Sequence, residues 1–122
     1  VKRLLIALGS VLVLGGVGHF IGIGRLYVTH GVPDANRVLL DVWIGEAQII
    51  GGGLYLAASR ATESKARQSF GMFGAVTIIG YAAPILPVLF ARAPMLLIVA
   101  PTVYLILSLW ILMAGRQYSR AA

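Results

Sequence analysis

Four stretches of apolar residues, at 4–24, 38–58, 69–90 and 95–113, take up most of the chain and are separated by short charged connectors. About 20 mainly apolar residues wound as a helix are enough to cross the hydrocarbon core of a bilayer. Four such stretches predict an all-α fold, an integral membrane four-helix bundle in which residues 1–122 form a single transmembrane domain. Composition points the same way. Hydrophobic residues make up 59% of the chain and charged residues 11%, against about 25% charged in soluble domains. A soluble fold this short keeps too much surface relative to volume to hide that many apolar side chains. There is no cysteine, which excludes a disulfide scaffold, thiol catalysis and cysteine metal ligation.

A formal net charge of +6 would suit a nucleic-acid binder if the charge were gathered on one polar face. Instead the Lys and Arg residues flank the apolar runs, where they anchor helices at the lipid interface. There is no basic stripe interleaved with aromatics, so no nucleic-acid partner is expected. The expected partner is the lipid bilayer. Val1-Lys2-Arg3 before an apolar run resembles the start of a signal peptide, but no A-x-A cleavage pattern follows, and the run is read as a retained first helix. Lys2, Arg3, Arg60, Lys65, Arg67, Arg116 and Arg120 fall on one side of a four-span chain, against Arg25, Arg37 and Arg92 on the other. The positive-inside bias then predicts an N-in/C-in, multi-pass protein of a bacterial-type cytoplasmic (inner) membrane.

Local chemistry marks the turns. Pro33 and Asp34 suit the first turn of a helix, so the second helix is expected to begin at about Pro33, outside the membrane. Thr62 is a candidate cap for the third helix, with Glu63 in its first turn and Arg67 four residues on. Glycine crowds the first two spans, and Gly18-x-x-x-Gly22 has the spacing that lets membrane helices approach closely. Pro84 and Pro87 in the third span and Pro101 in the fourth predict kinked helices. The carbonyls these prolines free need new donors, and Thr77, Tyr81, Thr102 and Tyr104 are near enough to supply them.

The candidate chemistry lies in the second span. Asp41, Glu46 and Gln48 are polar groups within an apolar helix, and a charge near the bilayer centre costs roughly 2.5–3.5 kcal/mol on insertion scales. Such groups face a cavity or a partner. Asp41 has Arg37 one turn earlier as a local ion-pair partner. Glu46 has no such neighbour and is the residue expected to centre a buried polar pocket. His19, in the outer half of the first span, is the ionisable group that could meet these carboxylates. Asp41 and Glu46 lie about 140° apart around the helix, so they cannot both aim at one small ligand. Trp43, Tyr81 and Tyr104 supply aromatic walls and hydroxyls, and with Gln48 they are the candidate ligand-binding residues. Only His19 and His30 could join the carboxylates in a metal site, so no metal and no cofactor are expected.

The run Trp43-Ile-Gly-Glu46-Ala-Gln-Ile-Ile-Gly51-Gly52-Gly53-Leu-Tyr-Leu-Ala-Ala-Ser-Arg60 resembles the second-helix signature of the DoxX-like small membrane proteins. In these a Glu is followed by a Gly-rich apolar run and a basic end. The resemblance implies a four-helix bundle, a role as an accessory subunit of a membrane complex, and Glu46 as the residue carried across.

Three readings of function follow. The first is an accessory subunit or lipophilic-ligand-binding protein, partnered by a larger membrane complex, a second copy or a lipophilic small molecule. The second is a membrane-embedded acid/base enzyme (an isomerase, cyclase or epoxide-opening enzyme) with Glu46, Asp41 and His19 as catalytic groups. The third is a proton-coupled transporter, since four spans with one intramembrane carboxylate resemble the small multidrug resistance proteins. No phosphate-binding loop or nucleophile elbow is present.

Overall fold

The computed structural model of the chain describes residues 1–30, 35–92 and 95–120, with side chains described except at 26–30, 92, 96 and 116–120. It is all-helical: α1 (Lys2–His30), α2 (Ala35–Arg60), α3 (Ser64–Arg92) and α4 (Met95–Arg120). Each helix is packed against the next in sequence. Gly9 faces Gly52 and Gly16 faces Gly45, which makes α1 and α2 antiparallel, and the pairing of Gln68 with Gly115 does the same for α3 and α4. The result is an up-down-up-down bundle with the start of α1 and the end of α4 at the same end.

Three helical segments are long and apolar enough to cross a membrane: Lys2–Arg25, Ser64–Ala91 and Leu97–Gly115. Much of their surface faces away from the bundle and is apolar, as at Leu14, Ile21, Phe73, Val76, Phe90, Val99 and Ile106. A surface of this kind belongs to a multi-pass membrane protein. The four-span expectation meets a difference at α2. That helix is long enough, at about 39 Å for its 26 residues, but it is not among the segments apolar enough to span. The reason is positional. α2 is packed between α1 and α3, and its inward face is built of Gly45, Gln48, Gly51, Gly52, Ala58 and Ser59 rather than large apolar groups.

Close helix approach is carried by glycines other than those expected. A Cβ on Gly16 would stand 2.7 Å from the Gly45 carbonyl oxygen, and one on Gly52 would stand 2.7 Å from that of Gly9. The seven-residue spacing of Gly9 and Gly16 returns them to one face after two turns, opposite Gly52 and Gly45. Gly18 and Gly22, the expected packing pair, have nothing within 4 Å of a built Cβ. Two residues past Gly16 is about 200° around the helix, which turns Gly18 away from α2's backbone. Gly51 and Gly74 meet in the same close manner between α2 and α3.

The termini also differ from expectation. α1 continues to His30, through part of the expected connector, and α2 begins at Ala35; Pro33 and Asp34 lie outside the described residues. The Arg67 amide donates to the Glu63 carbonyl (3.0 Å), so Glu63 is the residue before the first turn of α3 and Thr62 is not its cap. The Arg67 guanidinium donates to the Ala61 carbonyl just past α2 (2.9 Å), which meets a backbone acceptor there. α3 and α4 run helically through Pro84, Pro87 and Pro101. The Thr77 and Thr102 hydroxyls donate to Phe73 and Ile98, not to the carbonyls of Gly80, Ala83 and Leu97, which lie four residues before the prolines.

Candidate functional site

The bundle is packed solid at one end and open at the other. Leu5, Leu8, Leu12, Tyr55, Ala58, Ala75, Ile78 and Ile111 fill the end that holds the chain's start. Tyr55 and Ser108 are fully buried, and the Tyr55 hydroxyl donates to Ser108 Oγ (2.7 Å), tying α2 to α4. A crevice of about 40 Å³ between Leu5, Gly71 and Ile111 is the space left there. Toward the other end the helices enclose a cavity of about 390 Å³, lined by Gly15 and His19 of α1, Leu40, Asp41, Ile44 and Gln48 of α2, Tyr81, Ile85 and Leu89 of α3, and Leu97, Ala100, Pro101 and Tyr104 of α4. All four helices contribute. The lining is mostly aliphatic with a few polar groups, which is the composition of small-molecule sites.

Two polar pairs define this cavity. His19 Nδ1 lies 3.0 Å from Asp41 Oδ1, with the two side chains one-third and one-quarter exposed. The sequence offered Arg37 as Asp41's partner; Asp41 instead reaches across to α1, because His19 lies on the α1 face that meets α2, next to Gly45. In the tautomer that donates Nδ1–H to the carboxylate, Nε2 keeps a lone pair and the ring is held in orientation. Such an imidazole can take or return a proton at Nε2. The second pair is deeper. Gln48 is 5% exposed, and its Nε2 donates to the Tyr81 hydroxyl (3.1 Å). Among the described residues its buried Oε1 meets no hydrogen-bond donor, and it points at Gly15, where a Cβ would stand 2.9 Å from it.

His19, Asp41, Gln48, Tyr81 and Tyr104 are thus brought around one cavity. Glu46 and Trp43 are not. Both lie on the exposed side of α2, in a shallow groove whose other lining residues (Asn36, Leu39, Leu40 and Val42) all belong to the same helix. The expectation of a buried pocket centred on Glu46 is corrected accordingly. The 140° between Asp41 and Glu46 turns Glu46 outward once Asp41 faces α1. Among the described residues no three His, Asp or Glu side chains gather as a metal site, and the side chain of His30 lies outside the description.

The residues that sequence reasoning missed are mainly Gly15 and Pro101. Gly15 precedes His19 by one helical turn and so had to share its face, a signal available from spacing alone. The part played by Pro101 in the wall follows from how α4 leans on α3, which no local pattern encodes. No protein-family model matches the chain, and no curated protein or solved structure matches it significantly.

Proposed function

We propose that this protein holds a lipophilic small molecule within the membrane, in the cavity between the His19–Asp41 and Gln48–Tyr81 pairs. The observation that carries the reading is the cavity itself: about 390 Å³, apolar-walled, with a few convergent polar groups. In this reading α2 crosses the bilayer with the other three helices, its polar residues shielded by α1 and α3. Both termini lie in the cytoplasm of a bacterial-type cell. Pro84, Pro87 and Pro101 bow α3 and α4 outward around the ligand. The DoxX-like signature of α2 supports the bundle, and the outward-facing Glu46 and Trp43 supply a face for a larger complex or a second copy.

Native mass spectrometry of the protein released gently from its own membranes tests this. A discrete small-molecule mass above the 12.9 kDa chain is the expected result. A bare chain, or a stoichiometric larger protein with no small molecule, overturns it and favours the subunit role.

A second reading rests on the 3.0 Å His19–Asp41 contact. An oriented imidazole at the wall of an apolar-lined cavity is the equipment of an acid/base enzyme acting on a lipophilic substrate. Turnover of the co-purifying molecule, lost in Asp41→Asn with the helical fold intact, would establish it; unchanged ligand after prolonged incubation would remove it.

A further inference from the structure

The cavity reading leaves the chemical class of the ligand open, and the state of Gln48 narrows it. A primary amide offers two donor hydrogens and an acceptor oxygen. At Gln48 the nitrogen is engaged by Tyr81, while Oε1 has no donor although the residue is 95% buried, its relative exposure being 5%. A buried acceptor left unmet costs more than a single favourable hydrogen bond returns. Exchanging the amide's oxygen and nitrogen would leave an unmet N–H facing Gly15 instead, which an alcohol oxygen can accept but an ether oxygen can accept as well. The need for a donor therefore holds for the amide with its nitrogen on Tyr81.

Among the described residues, the surroundings supply no donor. Gly15 has no side chain, and its backbone amide lies within α1, one of the helix's own donors. His19, one turn on, spends Nδ1 on Asp41. Both Gly15 and Gln48 line the cavity; Oε1 itself is covered, so a ligand group reaches it as the Gln48 side chain shifts toward the cavity. That group must donate a hydrogen bond. A ketone, ether or ester cannot. An ammonium ion would donate, but Asp41, the cavity's carboxylate, is already matched to His19. A hydroxyl donates one hydrogen and keeps lone pairs for a donor such as the hydroxyl of Tyr104, which also lines the cavity.

Resting on the ligand-binding reading above, we infer that the cavity takes an uncharged lipophilic alcohol, with the hydroxyl donating to Gln48 Oε1 and the hydrocarbon lying along Ile44, Ile85 and Leu89.

The test uses geraniol and its methyl ether as matched probes. Binding is measured by equilibrium dialysis against the full chain in lipid nanodiscs, with empty nanodiscs subtracting partition into lipid. The expected result is geraniol bound about tenfold more tightly than the ether, the worth of one hydrogen bond of typical strength, and a ratio falling to about one in Gln48→Met. If that variant does not fold, Gly15→Ala puts a methyl group against Oε1 and lowers the ratio in the same way. Equal binding of both probes by the native protein, or a ratio that survives Gln48→Met, overturns the alcohol assignment and leaves the cavity reading standing. Binding of neither probe above empty nanodiscs overturns both.

Discussion

Within the helices, one group of polar side chains holds the bundle and another faces its cavity. Tyr55 and Ser108 belong to the first group: both are fully buried and joined at 2.7 Å. Tyr55→Phe and Ser108→Ala should each lower stability by about 0.5–1.5 kcal/mol. The double variant should lose less than the sum, with a coupling near 0.6 kcal/mol as for hydrogen bonds between membrane helices, read from unfolding in a denaturing detergent. Strict additivity would mean that the contact contributes nothing. Glu46 belongs to neither group. Glu46→Gln should leave ligand occupancy of the cavity unchanged in native mass spectra, whereas His19→Ala, on the cavity wall, should lower it. A loss in Glu46→Gln would place that side chain within reach of the ligand after all. The identity of the polar residues was legible in the sequence, because polar groups in an apolar helix stand out. Which of them met was not. Asp41 had a sound local partner in Arg37, and only the placement of α1 decides for His19.

At the scale of the helices, composition and length were enough to find all four, and their boundaries differ mainly where a helix continues past its apolar run, as α1 does to His30. The packing faces were harder to read. A glycine pattern names the residues that can approach a neighbour, but several frames fit the same helix. Gly18 and Gly22 match the familiar spacing, yet Gly9 and Gly16 make the contact. The choice depends on which face the partner helix presents, a property of the pair. Gly16→Val and Gly52→Leu should each cost about 1–3 kcal/mol or force α1 and α2 apart, since the new side chain meets a backbone carbonyl that cannot turn aside. Gly18→Ala should be neutral or stabilising, because it fills open space and favours the helix. Thermal unfolding of the three variants in one detergent compares them directly, and a destabilised Gly18→Ala with a tolerated Gly16→Val would reverse the assignment of faces.

For the molecule as a whole, the antiparallel order puts the chain's start and the end of α4 at one end of the bundle, the end that the proposed orientation places in the cytoplasm. A reporter that works only outside the cytoplasm should be silent when fused after Arg120 and active when placed in the connector between α1 and α2. The opposite pattern would invert the topology, and activity at both positions would mean that α2 does not span. The uneven packing of the bundle carries a mechanical consequence. α1 and α2 approach backbone to backbone at Gly9, Gly16, Gly45 and Gly52, with Leu12, Val13, Ile49 and Leu56 packed around these contacts, so the pair has little room to shift. α4 is packed chiefly on α3, and among the described residues the Tyr55–Ser108 bond near the closed end ties it to α2. That bond is a fulcrum: a small tilt of α4 about it becomes a larger swing at Leu97 and Ala100. Under the ligand-binding proposal, α4 is the wall that would give way to a ligand, and the entry it would open lies on the flank of the bundle rather than at its ends.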